Sequence, residues 1–429
     1  MTSPRLASFA LLIGSALAGL LIGEIGLRAL EQPSMTSSGV LLGEELPPLV
    51  YIPIEKAPTR DDRLKRAAQW AEPLVIDGRK ITHGDLHGIT KEDPYLGHVP
   101  QGNSMSANGW WQTNELGARS RLQTPRWQSP GIRRILLFGD SYTQGSRVPQ
   151  EETIAHYLGE TSSDTEVFNF GVDGYSMAQA FLRYQQLAAQ LEHDLVFLIL
   201  VPDADLWREV NVSRFVGRRW EAYAINPRFI LDEGTLQLVS SPFSSLEEML
   251  RDKYDNNGRI SLDHLRKYDR FFFPAMYENF PGLDRSAIFR LLRLAWAKHQ
   301  YSRLMNEMYD PSGEAMAVMR AIAVSMNQVA HEAGAAFALV ILPSPGDTER
   351  FLQAAEYRRQ WQGMAESLCA ARYACLDLME DFARLPADQF DLGYDGTHYG
   401  PSSNRLIAEL IQVRASDLLN AASPPPPGE

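Results

Sequence analysis

The stretch Ile135-Leu136-Leu137-Phe138-Gly139-Asp140-Ser141 decides how this chain is read. An apolar run that ends in a Gly-Asp-Ser turn describes a buried strand delivering a hydroxyl at its exit. Near the other end of the sequence stands Asp395-Gly396-Thr397-His398, the only Asp-x-x-His in the chain. A serine hydroxyl is a poor nucleophile until a neutral imidazole takes its proton, and the imidazolium so formed is stabilised by a carboxylate. Ser141, His398 and Asp395 are therefore the candidate nucleophile, general base and orienting acid. Gly-Asp-Ser by itself is equally a turn and helix cap; the preceding strand and the distant Asp-x-x-His tip the balance toward chemistry. The Gly-x-Ser-x-Gly elbow is absent, since the turn reads Gly139-Asp140-Ser141-Tyr142-Thr143.

Outward from this stretch, β-prone runs recur at Ile132 to Phe138, Glu166 to Phe170, Leu195 to Val201, Ala336 to Leu342 and Ala374 to Leu378. Helical patterns separate them. One is marked by Ser176, which can cap it while Gln179 reaches back, with Met177, Phe181, Leu187, Ala188 and Leu191 at helical spacing. Another follows His398, with Leu406, Ile407, Leu410 and Ile411 on one side. This alternation predicts an α/β fold built on a five-stranded parallel sheet covered on both faces. Ligands in such sheets bind beyond the carboxyl ends of the strands, where Ser141 would sit.

The chain has 429 residues, 45% of them hydrophobic, enough for one large core or two modest ones. Its 41 basic and 53 acidic residues give a formal charge of −12, with no basic stripe, so nucleic acid is not an expected partner. Residues 6–23 carry no charged side chain; Arg5 precedes them, and Glu24 and Arg28 follow. That pattern predicts a transmembrane anchor with a cytoplasmic amino end and an extracytoplasmic, periplasmic remainder. A cleavable signal peptide ending at Ala16-Leu17-Ala18 is the competing reading, disfavoured by the apolar continuation through Leu20-Leu21-Ile22. Cys369 and Cys375 could join in an oxidising compartment or remain two free buried thiols.

The expected organisation is an anchor or signal segment at 1–31, a juxtamembrane wrap or linker at 32–131, a catalytic domain at 132–420 and a disordered tail at 421–429. Within the catalytic domain, residues 206–334 interrupt the alternation. A span of roughly 125 residues exceeds ordinary connections and reads as an inserted subdomain or lid. It carries Arg214, Arg218, Arg219 and Trp220, a hairpin at Asp232-Glu233-Gly234 and the cluster Phe271-Phe272-Phe273.

Three blocks of this sequence resemble the SGNH, or GDSL, hydrolases. They are Phe138-Gly-Asp-Ser141-Tyr-Thr-Gln-Gly145, Asn169-Phe-Gly-Val-Asp-Gly174-Tyr-Ser and Asp395-Gly-Thr-His398, in the family's order. Thr113-Asn-Glu-Leu-Gly-Ala-Arg119 and the apolar segment followed by Glu24 and Arg28 resemble bacterial membrane-anchored members. The resemblance implies a flavodoxin-like three-layer sandwich, with Ser141, His398 and Asp395 in the roles given above. It also implies that Gly174 and Ser141 present backbone N–H groups to the oxyanion. Substrates implied are acyl esters, acetyl among them, of glycans or small molecules, without metal or cofactor; some members are O-acyltransferases. The third block departs from the pattern. Where the family ends its strand in Gly-x-Asn-Asp, this chain reads Leu200-Val-Pro-Asp203-Ala-Asp205. Asp203 or Ala204 falls at the asparagine, and neither offers an amide donor. Losing one oxyanion donor costs about 100-fold to 1000-fold in turnover. The departure leaves three outcomes: a slower hydrolase, one using Asn211 or an arginine of the insertion instead, or a non-catalytic envelope protein.

His83 and His87 lack a third ligand and read as a solvated loop. Arg214, Arg218 and Arg219 read as a solvated or ion-paired face, with an anion clamp as the alternative.

Overall fold

The computed structural model describes residues 4–33, 37–49, 74–76, 79–81, 90–106, 109–120, 127–161, 163–212, 225–245, 248, 251–252, 259–371, 373–385 and 390–422. It divides into two compact units. One comprises 1–57, 217–223 and 247–305; the other comprises 58–216, 224–246 and 306–429.

The second unit is built on five strands: β1 (Arg133–Gly139), β2 (Thr165–Asn169), β3 (Leu195–Leu200), β4 (Ala336–Ile341) and β5 (Ala374–Asp377). Their order is β5-β4-β3-β1-β2, and every neighbouring pair runs parallel. Each begins and ends within a residue or so of the predicted apolar runs. All six residues of β3 are buried, as a strand covered on both faces requires.

Side-chain alternation sorts the sheet into layers. On one face Ile135, Leu137, Phe197, Ile199, Ala338 and Val340 pack with Ile154 and Leu158 of α1 (Ile154–Glu160) and with Ile407, Ile411 and Ala415 of α5 (Pro401–Ala422). The other helices form a second group: α2 (Met177–Ala188) packs on β1 and β3 and against α3 (Glu314–Glu332), which also touches α4 (Ala355–Cys369). The result is a three-layer sandwich. Ser176 and Gln179 form the expected reciprocal cap at the start of α2. Cys369, at the end of α4, is disulfide-bonded to Cys375 in β5.

The strand order 2-1-3-4-5 is the flavodoxin-like one, and it reverses direction between β1 and β3. The loops leaving β1 and β3 therefore diverge around a crevice at the carboxyl edge. The Gly139-Asp140-Ser141 turn leaves β1 there, and Pro202–Asp205 leaves β3.

Two expectations about organisation change. The predicted linker is not uniformly peripheral, for Trp111, Thr113, Asn114, Ala118 and Arg119 are all buried. Polar and glycine-rich sequence concealed a core segment that folds through buried hydrogen bonds, without apolar periodicity. The predicted insertion is also divided. The hairpin Arg228–Asp232/Thr235–Val239, turning at Glu233-Gly234 as expected, belongs to the unit with the sheet. Residues 259–305 belong to the other unit.

In that unit, Leu41 and Leu46 of a hairpin share a small core with Met276, Leu294 and Ala297. The N-terminal helix Pro4–Leu30 ends on the helix Ala287–Glu307: Glu24 accepts from the N–H groups of Ala287 and Ile288 at 2.8 and 3.0 Å. A carboxylate at a helix amino end offsets the unsatisfied N–H groups there. Leu17, Leu20, Leu21, Ile22 and Ile25 are each more than half exposed. Among the described residues, no helix is long and apolar enough to cross a membrane. The side chains of residues 4–13, the first part of the span predicted over 6–23, lie outside the described residues. So do His83, His87, Arg214, Arg218, Arg219, Trp220 and the tail from 423.

Candidate active site

The Ser141 turn is shaped by what cannot fit beside it. Gly139 has φ +154, and a Cβ there would lie 2.5 Å from the carbonyl oxygen of Ile199 in the adjacent strand. Glycine lets β1 turn sharply while keeping its place in the sheet. Asp140 then caps the single helical turn Ser141–Gln144, its Oδ1 accepting from the N–H of Tyr142 at 2.9 Å. Ser141 emerges at the first position of that turn, only 4% exposed.

His398 and Asp395 arrive from the loop before α5. His398 Nε2 lies 2.9 Å from Ser141 Oγ, and its Nδ1 lies 2.7 Å from Asp395 Oδ2. Thr397 Oγ1 and Arg147 Nε also donate to Oδ2, at 2.8 and 2.9 Å. Oδ1 accepts from the backbone N–H groups of Thr397 and His398 at 2.9 and 3.1 Å. Burial would raise the Asp395 pKa, but the hydrogen bond and charge of His398 and these N–H groups hold it far below the usual carboxylate range. An ionised Asp395 makes Nδ1 the donor in the neutral ring, leaving Nε2 to accept the serine proton. Tyr142 supports the imidazole from the side, with ring centroids 4.5 Å apart and its hydroxyl donating to the Thr397 carbonyl at 3.0 Å.

The loop after β2 packs on the Ser141 turn. Val172 N–H donates to the Gly139 carbonyl at 3.0 Å, and Asn169 Nδ2 donates to the Thr143 carbonyl at 2.7 Å. The approach is close enough that a Cβ on Gly171 would stand 2.5 Å from Gln144 N. Gly174 lies on this loop, and among the described residues neither its N–H nor that of Ser141 has a hydrogen-bond partner. They are two donors without acceptors, on neighbouring loops.

Asp203 is placed elsewhere. Its carboxylate is 44% exposed and pairs with Arg350 at 2.7 Å, so the expectation that it occupies the oxyanion site gives way to a surface ion pair. The turn Pro202–Asp205 sends Asp205 inward instead: it is 2% exposed and accepts from Val201 N–H at 2.9 Å and from Arg208 at 2.9 Å. Burial, followed by the charge of Asp140, pushes the Asp205 carboxyl well up. Burial also raises Asp140, against the opposing pull of Arg208 and Tyr142 N–H. Asn211 is buried beyond Arg208.

Two arginines at the site carry no sequence signal of their own. Arg119, buried, donates to the carbonyls of Gln144 and Val148 at 2.8 and 2.7 Å and to that of Gly145, holding the far end of the Ser141 turn. Only the family resemblance of Thr113–Arg119 marks it in the sequence. Arg208 joins the loops after β1, β2 and β3. Among the described residues there is no cluster of side chains able to hold a metal ion.

No family model matches this chain, and no curated protein does. Several solved structures are similar over about two thirds of it. A protein described as an SGNH hydrolase from Slackia heliotrinireducens has 13% identity and a TM-score of 0.31, covering 66% of this chain and 98% of its own. The esterase EstA from Pseudoalteromonas sp., inhibited by monoethylphosphonate, has 15% identity and a TM-score of 0.31, over 67% of this chain and 99% of its own. A mutant of an acetyl-xylooligosaccharide esterase from Geobacillus Stearmophilus has 11% identity and a TM-score of 0.31, over 70% of this chain and 100% of its own. Likenesses this distant carry no functional assignment.

Proposed function

We propose that this chain is a serine ester hydrolase. The observation that carries the reading is the unbroken relay from Asp395 through His398 to Ser141, with contacts of 2.7 and 2.9 Å. In the proposed reaction His398 Nε2 takes the Ser141 proton as Oγ attacks the ester carbonyl carbon. The carbonyl π pair moves to oxygen, where the N–H groups of Ser141 and Gly174 receive it. Collapse breaks the ester C–O bond, and His398 returns the proton to the departing alcohol. Water, deprotonated by the same imidazole, then releases the acid and restores Ser141. Asp395 remains ionised throughout and stabilises the imidazolium.

The proposed substrates are acyl esters, acetyl among them, of an extracytoplasmic glycan or small molecule. The proposed location is a membrane, held by the N-terminal helix with the sheet-bearing unit on the extracytoplasmic side. The exposed apolar residues from Leu17 to Ile25 support anchoring. The Cys369–Cys375 disulfide supports an oxidising compartment. Retention in the membrane fraction after a carbonate wash tests the anchor, and release by the wash overturns it.

The activity test is p-nitrophenol release from an acetyl ester by the full chain, abolished in Ser141→Ala. Acyl transfer to an added glycan without net hydrolysis would reassign the same serine to a transferase. Complete inertness toward ester, glycan and fluorophosphonate would leave a non-catalytic envelope protein.

A further inference from the structure

The two N–H groups proposed to receive the oxyanion sit on separate loops, Ser141 after β1 and Gly174 after β2. Their usefulness depends on both pointing at one place, because preorganised donors act only where the charge develops. The third loop supplies the link. Arg208 Nη1 donates to Asp140 Oδ2 at 3.3 Å, to the Tyr175 carbonyl at 3.2 Å and to Asp205 Oδ1 at 2.9 Å. Asp140 immediately precedes Ser141, and Tyr175 immediately follows Gly174. One guanidinium nitrogen is thus bonded to a chain neighbour of each oxyanion donor. Asp205, itself held by Val201 N–H at the end of β3, secures the guanidinium to the sheet.

Charge gives Arg208 a second effect. Asp140 and Asp205 are 1% and 2% exposed. A cation between them offsets negative charge on either carboxylate, which beside Ser141 would oppose the developing oxyanion. Arg208 Nε is buried and has no hydrogen-bond partner among the described residues.

We infer that Arg208 is a positioning residue of the oxyanion site: it fixes the Ser141 and Gly174 turns relative to each other and offsets Asp140 and Asp205. It thereby does work that a side-chain amide at the Asp203 or Ala204 position cannot do here. This inference rests on the hydrolase reading proposed above.

The test uses the full chain and the p-nitrophenyl acetyl ester. Arg208→Lys keeps the charge, but its stem is one atom shorter than the path to Nη1, so its ammonium falls short of the point where one nitrogen meets all three acceptors. A misplacement near 1 Å costs about 100-fold in rate, so kcat per fluorophosphonate-titrated Ser141 should fall about 10-fold to 100-fold with KM nearly unchanged. Arg208→Gly should lose more and regain turnover when millimolar guanidinium is added, whereas added ammonium should not restore it. A double variant, Arg208→Gln with Asp205→Asn, returns the net charge of the cluster to its wild-type value, so it costs less stability than Arg208→Gln alone; its kcat should stay low. Turnover per titrated site within twofold of wild type in Arg208→Lys or in the double variant would overturn the role of Arg208 while leaving the hydrolase reading intact. A wild-type chain that neither hydrolyses the ester nor reacts with fluorophosphonate would overturn both.

Discussion

Glu209, next to Arg208, is fully buried, and its Oε1 accepts from Met177 N–H at 2.6 Å at the amino end of α2. Its Oε2 is buried without a hydrogen-bond partner among the described residues. Burial raises this carboxyl from 4.5 to about 7, against the opposing pulls of the Met177 and Ala178 N–H groups, Arg228 and Arg208. A raised folded-state value means that the native protein keeps a proton the unfolded chain has released. Stability linked to Glu209 is therefore complete below about pH 4.5 and is lost as pH rises through about 7. At about 1.4 kcal/mol per unit, the loss across that window is about 3 kcal/mol. Glu209→Gln keeps the acceptor for Met177 and removes the titration. The stability difference between variant and wild type should then shift by about 3 kcal/mol in favour of the variant between pH 4.5 and pH 8. The constant cost of burying an amide nitrogen, about 1–3 kcal/mol, does not alter that shift. Urea unfolding of both proteins across this range, with m-values compared, measures it. A difference that stays flat to within about 1 kcal/mol over the window would refute the assignment of a protonated carboxyl beneath α2.

Three further outcomes follow from particular contacts. Asp203→Asn should leave turnover within about twofold, since its carboxylate is 44% exposed and paired with Arg350 and such pairs contribute about 0–1 kcal/mol; a large rise in ester hydrolysis would return Asp203 to the oxyanion site. Gly171→Ala should lower kcat about 10-fold or more by pushing the nucleophile turn away from a Cβ that would stand 2.5 Å from Gln144 N; unchanged steady-state kinetics would show that the loop can yield. Reducing Cys369–Cys375 should cost about 2 kcal/mol through lost chain restriction, read as a lower urea midpoint with dithiothreitol that Cys369→Ser reproduces; identical midpoints would remove the disulfide from the account.

The elements that positioned the site were legible because their signals are local. An apolar run needs no distant partner to be recognised as a buried strand, and Ser176 with Gln179 announces a helix start over four residues. The pairing of Ser141 with His398 was legible for a different reason, since each belongs to a short motif whose residue types serve one chemistry. What escaped was carried by single residues whose partners are distant in sequence. Arg119, Arg208 and Glu209 are ordinary charged residues until the fold buries them and aims them at carbonyls, N–H groups and carboxylates of other loops. Asp203 and Asp205 exchange their expected importance because the short helical turn after Val201 decides which carboxylate faces inward. That direction depends on the backbone of four residues, and neighbouring aspartates give no hint of it.

Covalent labelling of the full chain with a fluorophosphonate, followed by mass spectrometric mapping of the adduct, shows whether Ser141 is an activated nucleophile. One adduct per chain is expected, on Ser141, lost in Ser141→Ala and greatly slowed in His398→Ala. An unreactive chain, or an adduct that persists in Ser141→Ala on another residue, would contradict it.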